Sequence, residues 1–141
     1  MIPPAGDEHR PSIFEYGTGG YLASIDWRFL PERNGGPAPV RMAWTRPVIP
    51  LLPGEEPSPM ARTLLVADSG SGVGAALSVR EFTFLNVDLT VVLPRDPAGD
   101  WLRLESVTAI GPDGTGLATT LLADRAGTFG RGWQTLLVAP R

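Results

Sequence analysis

Three side chains, or small sets of them, have types and spacing that could do chemistry. Asp68 lies near the end of Ser58–Gly70, where Met60, Leu64 and Asp68 follow one another at intervals of four. On a helix these three share a stripe, so a carboxylate falls on the face that the aliphatic residues would bury. Burying an acid costs free energy unless it finds partners, which makes Asp68 the leading candidate. In Phe82–Leu93 the alternate residues Asn86, Asp88 and Thr90 place three polar groups in register opposite an aliphatic stripe, and any of the three could be relevant. In Thr128–Val138, Gln134 shares a face with Gly130 and Gly132. Glycines inside a strand suggest that a backbone, a helix or a ligand approaches there, and Gln134 would look into that space.

Other chemistries are excluded by what is missing or misplaced. The chain has no cysteine, which removes disulfides, thiolate metal sites and thiol nucleophiles. His9 is the single histidine and stands in a proline-broken stretch, which removes most Ser-His-Asp arrangements. Ser69-Gly70-Ser71-Gly72-Val73-Gly74 suggests a phosphate loop, but it lacks the lysine, follows a helix and fails the dinucleotide glycine spacing. It reads as a flexible helix exit whose glycines could let a ligand pass close to backbone. Trp27, Trp44, Trp101 and Trp133 read as core or pairing-surface anchors.

The elements that must position these groups follow from periodicity and breakers. Residues 1–18 are polar and interrupted by proline, and read as an arm or linker remnant ahead of a domain over 19–141. Gly19–Leu30 and Val40–Arg46 alternate as two strands of a hairpin around the turn cluster Pro31–Pro37. Val48–Pro57 is too rich in proline for a central strand and reads as an extended crossing. Ser58 can cap a helix that Pro59 starts and Gly70 ends. Phe82–Leu93, Trp101–Ile110, Leu117–Ala123 and Thr128–Val138 read as four successive strands of an antiparallel meander. Strands, one helix, then strands make an α+β protein rather than a doubly wound α/β fold. A curved antiparallel sheet around one helix is the hotdog arrangement, and a small β-barrel with a helix competes with it.

At 141 residues, 43% hydrophobic and 19% charged, the chain suits one globular domain, and 17 glycines and 15 prolines suggest many turns and short strands. All twelve basic residues are arginine and the net charge is -3, which argues against a broad nucleic-acid surface. No apolar run approaches the roughly 18 residues of a membrane span. The first residues lack the basic and apolar segments of a secretory leader, so a cytoplasmic protein is the default expectation.

Five pieces of the chain, in order, carry a family resemblance: Leu64–Gly72, Phe84–Arg95, Asp100-Trp101-Leu102, Gly114–Ala118 and Gly132–Val138. Together, over roughly 19–141, they resemble the acyl-CoA thioesterases of the thioesterase-like superfamily. That family is a double hotdog, and this sequence is similar to its C-terminal half. The resemblance implies a sheet of about six strands around one central helix. It also implies pairing, as a homodimer or with a second hotdog chain. By the same resemblance Asp68, Asn86 and Gln134 fall on the family's site, with an amide at 86 where a hydroxyl is common. The implied chemistry is hydrolysis of an acyl-CoA or acyl-carrier thioester without metal or cofactor. Asp68 would act as general base, Asn86 and Gln134 would hold the water, and backbone N–H groups would stabilise the oxyanion. A non-catalytic acyl-binding or assembly module is the alternative.

Overall fold

The computed structural model describes residues 1–6, 8–11, 14 and 19–141. Its elements in chain order are β1 (Ile25–Arg33), β2 (Val40–Pro47), α1 (Pro59–Ala67), α2 (Gly70–Val73), β3 (Phe82–Asn86), β4 (Thr90–Val92), β5 (Leu102–Ile110), β6 (Thr115–Asp124) and β7 (Gly127–Pro140). All pairings are antiparallel in one sheet of order β1-β2-β5-β6-β7-β3, with β4 also paired to β7. Since β3 and β4 extend one another along β7, the sheet is six strands wide. The inner face carries the core: Trp27 and Phe29 from β1, Ala43 from β2, Leu102 and Leu104 from β5, and Leu122 from β6 close on Val66, Ala67 and Val73 of the helices. The α+β expectation holds, with a curled sheet wrapped on a short helical segment.

Several boundaries move for identifiable reasons. The first strand begins at Ile25 because Gly20–Ser24 forms a tight helical turn, held by the Ser24 hydroxyl donating to Tyr21 O (2.7 Å) and the Trp27 indole donating to Leu22 O (3.1 Å). It runs through Pro31, which an edge strand tolerates because no neighbour needs its missing N–H. The four-strand meander expected from the sequence is three strands, β5-β6-β7. The preceding strand adds to the far edge of β7, and β5 pairs instead with β2.

Phe82–Leu93 is not one strand. Asn86 lies opposite Leu136 and Thr90 opposite Trp133, so four residues on one side span three on the other. The extra residue is a bulge, and it reverses which parity faces inward. Before it, Phe82 and Phe84 pack on the inner cluster with Leu136 and Val138; after it, Leu89, Val91 and Leu93 pack on the main core. Asp88 closes the break by accepting from Thr135 N (2.8 Å) and Thr135 Oγ1 (3.0 Å).

The helical segment is also split. Ser58 Oγ accepts from Ala61 N at 3.1 Å and Pro59 opens α1, as the sequence predicts. The chain then turns at Asp68-Ser69 into α2, whose four residues are all buried, in place of a flexible exit. A Cβ on Gly70 would overlap Thr120 Oγ1, and one on Gly74 would lie 2.9 Å from Ser106 Cβ. The glycines therefore admit the sheet, on which the buried hydroxyls of Ser106 and Thr120 pair at 3.0 Å. The buried side of α1 is Thr63, Val66 and Ala67, whereas Met60 and Leu64 are exposed, which reverses the face expected from the sequence. Within the stretch read as an arm, Phe14 is buried against Trp27 and Phe29, with ring centroids 4.8 and 5.0 Å away. Asp7, which also belongs to that stretch, lies outside the described residues.

Candidate active site

Asp68 is the residue on which α1 ends, its backbone still helical at φ -62°, ψ -20°. Its side chain leaves the helix at the rim of the sheet, where it is exposed. Asn86, on the last residue of β3, and Gln134, in the middle of β7, reach the same point from the inner face. Asn86 Nδ2 donates to Asp68 Oδ1 at 3.0 Å and Gln134 Nε2 donates to the same oxygen at 3.1 Å. Both amides also donate to the Asp68 carbonyl oxygen, at 3.2 and 2.8 Å. The three groups named from the sequence are therefore brought together. Asp88 is spent on the bulge and Thr90 pairs opposite Trp133, so neither joins them.

Which way the two amides point is decided by a residue the sequence did not single out. Ser71 N donates to Gln134 Oε1 at 2.9 Å, and Ser71 Oγ donates to Asn86 Oδ1 at 2.7 Å. Both amide oxygens are thus turned toward α2 and both amide nitrogens toward Asp68. Ser71 can serve both because Gly70 and Gly74 let α2 lie directly on the strands. The signal was present in the Ser-Gly-Ser-Gly run, which suggests close packing as readily as flexibility. Gly130 of β7 has a plainer reason than a ligand: a Cβ there would lie 2.7 Å from Val92 O, so the neighbour is β4, whereas a Cβ on Gly132 would make only ordinary contact, 3.6 Å from Thr90 O.

Tyr21 was also missed. Its hydroxyl donates to Leu65 O and shares a contact with Ser69 Oγ, both at 2.7 Å. A phenol has one proton, so Ser69 is the donor in the second bond. Burial of the hydroxyl end raises the Tyr21 pKa, with the Asp68 charge adding to it and the Ser69 bond opposing it. The phenol stays neutral at physiological pH and ties the α1–α2 junction to the turn before β1.

Beside Asp68 an open hollow of about 290 Å³ has a polar end formed by Asp68, Ser71 and Asn86, and an apolar wall of Phe14, Leu22, Phe84 and Leu85. Among the described residues no hydrogen bond engages Asp68 Oδ2. Among the described residues no group of three or more metal-binding side chains occurs, and no helix is long and apolar enough to cross a membrane.

A curled antiparallel sheet gripping a short helical segment, with a carboxylate where the helix ends, defines a hotdog protein. The chain belongs to the acyl-CoA thioesterase C-terminal domain family, whose model matches residues 2–138. A search of curated proteins gave no significant match. Among solved structures, the acyl-CoA thioesterase II TesB2 of Mycobacterium marinum is similar over 100% of this chain and 56% of its own, at 16% identity and TM-score 0.68. A thioesterase from Haemophilus influenzae matches over 99% of this chain and 94% of its own (12%, TM-score 0.62). A hypothetical thioesterase with coenzyme A from Streptococcus pneumoniae matches over 85% and 91% (13%, TM-score 0.62). The chain spans about half the length of the TesB-type structures it matches.

Proposed function

We propose that the chain is a thioester hydrolase acting on an acyl-CoA or acyl-carrier substrate, with Asp68 as its general base. The observation that carries this is the convergence of Asn86 Nδ2 and Gln134 Nε2 on one oxygen of Asp68, a residue that lines the apolar-walled hollow. A water on Oδ2 gives its proton to the carboxylate as its oxygen bonds to the thioester carbonyl carbon. Collapse of the adduct breaks the C–S bond, and the sulfur leaves as a thiol with the proton that Asp68 took. Asn86 and Gln134 hold the carboxylate so that this proton transfer needs no rearrangement. Backbone N–H groups supply the oxyanion stabilisation such a step needs.

Met60 and Leu64 on α1, and Leu85 and Val87 flanking Asn86, are exposed apolar side chains, which supports closure by a second hotdog unit, either another copy or a separate chain. A cytoplasmic location goes with this reading. Saturation of Oδ1 by two amides supports a second reading, an acyl-binding or assembly module without turnover.

Thiol release from acetyl- to palmitoyl-CoA, measured on size-fractionated protein, separates the two. Turnover in a dimeric fraction is expected, whereas acyl-CoA binding with no thiol release in any fraction favours the second reading. Ser71→Ala keeps the backbone N–H on Gln134 but frees Asn86. It is expected to lower kcat on the order of tenfold with a change in Tm of only a few degrees, checked by steady-state kinetics and thermal melting.

A further inference from the structure

We infer that Phe14 sets the length of acyl chain the site accepts and restricts it to short chains, an inference that rests on the thioesterase reading. The hollow beside Asp68 is polar at one end, and Phe14 forms part of its apolar wall. The ring is only 4% exposed and is edge-on to Trp27 and Phe29, so it is fixed by packing on both and is not free to swing aside.

What lies past the ring makes it a stop rather than a plain core residue. Phe29, 5.0 Å beyond Phe14, lines a second hollow of about 270 Å³ together with Val73, Leu30 and Met42. Gly72 borders the first hollow and Val73 the second, so the two follow each other along α2, with Phe14 in the wall of the first and packed on Phe29, which lines the second. An acyl chain whose carbonyl sits at Asp68 Oδ2 runs along Leu22 and Phe84 and meets Phe14. The far hollow is apolar on its inner side, where a methylene chain gains by burial, and it opens outward at the Glu32–Arg41 pair.

Chain preference follows from this geometry. Each methylene accepted or refused by an apolar pocket changes kcat/KM by about tenfold or more, so one aromatic ring is enough to set a sharp cut-off. Removing the ring lengthens the first hollow toward Phe29 and the second hollow, and enlarging it shortens the first.

The test is thiol release from acetyl-, butyryl-, hexanoyl-, octanoyl-, lauroyl- and palmitoyl-CoA by the intact chain, Phe14→Ala, Phe14→Leu and Phe14→Trp, each with a thermal melt. The intact protein is expected to favour acetyl- to hexanoyl-CoA. Phe14→Ala and Phe14→Leu are expected to raise kcat/KM for octanoyl- and lauroyl-CoA, relative to that for butyryl-CoA, by about tenfold or more. Phe14→Trp keeps the space filled and is expected to lose the longest substrate that the intact protein accepts. Turnover with the same chain-length profile in all four proteins overturns the inference and leaves the thioesterase reading standing. No thiol release from any substrate by the intact protein overturns both. If Phe14→Ala melts early, the Leu and Trp forms, which keep the core occupied, still decide the matter.

Discussion

Asp68→Ala is expected to lower kcat for acyl-CoA hydrolysis by about 100- to 10,000-fold while leaving the fold intact. The size of the loss is that of general-base assistance to a water nucleophile, because the amides of Asn86 and Gln134 cannot accept a proton in place of the carboxylate. The fold should survive because Asp68 sits exposed where α1 ends, and its side chain fills no space in the core. Gln134 is buried, but Asp68 O still accepts from its Nε2 at 2.8 Å after the side chain is cut. Tm should therefore move by no more than a few degrees while kcat collapses. Steady-state kinetics with circular-dichroism melting checks both parts. An Asp68→Ala protein with undiminished kcat would remove the carboxylate from the mechanism.

How much of this was legible in the sequence differs between local and long-range features. Ser58 and Pro59 announce the start of α1 because capping is local, and the hydroxyl lies three residues from the N–H it satisfies. Alternation located the strands for the same reason, although it ran β3 and β4 together as one. Partner choice was not legible: β2 could pair with β3 or β5 on pattern alone, and only the long-range pairing in the folded sheet puts β3 on the far edge of β7. The bulge between Asn86 and Thr90 hides behind an unbroken alternation, yet it decides that Asn86 faces Asp68 and Thr90 does not. Asp68, Asn86 and Gln134 could be named because a resemblance supplied their order. Ser71 and Tyr21 could not, since their work depends on contacts 15 to 63 and 44 to 48 residues away. The helix stripe misled because Met60 and Leu64 suit a face covered by a partner as well as a face covered by the chain's own sheet.

The largest stability effect belongs to a residue far from the candidate site. Asp124, at the end of β6, has a fully buried side chain whose two oxygens take four donors: Arg95 at 2.7 and 2.9 Å, Ala98 N at 2.7 Å and Ala126 N at 2.7 Å. Arg95 donates further to Gly127 O at 3.0 Å, so the node fastens the crossing between β4 and β5 to the β6–β7 turn. Asp124→Asn puts an NH2 group against two of these donors and removes the charge facing Arg95. A loss of about 3 kcal/mol follows, which in a chain of this size is a fall in Tm of about 8 °C at neutral pH. The Arg95 guanidinium, helped by the two backbone N–H groups and opposed by burial, holds the Asp124 carboxyl well below the usual carboxylate range. A folded-state pKa below the unfolded one stabilises the protein above the unfolded value of about 3.9, and that stability drains away as the pH falls below it. Asp26, paired with Arg28 at 2.7 Å and Arg46 at 3.0 Å, is shifted the same way and adds to acid sensitivity in both proteins. The gap in Tm between the two proteins should therefore be full at pH 7 and shrink steadily below about pH 4. A gap that stays constant down to pH 3 would show that Asp124 holds the turn by shape and hydrogen bonding alone, without its charge.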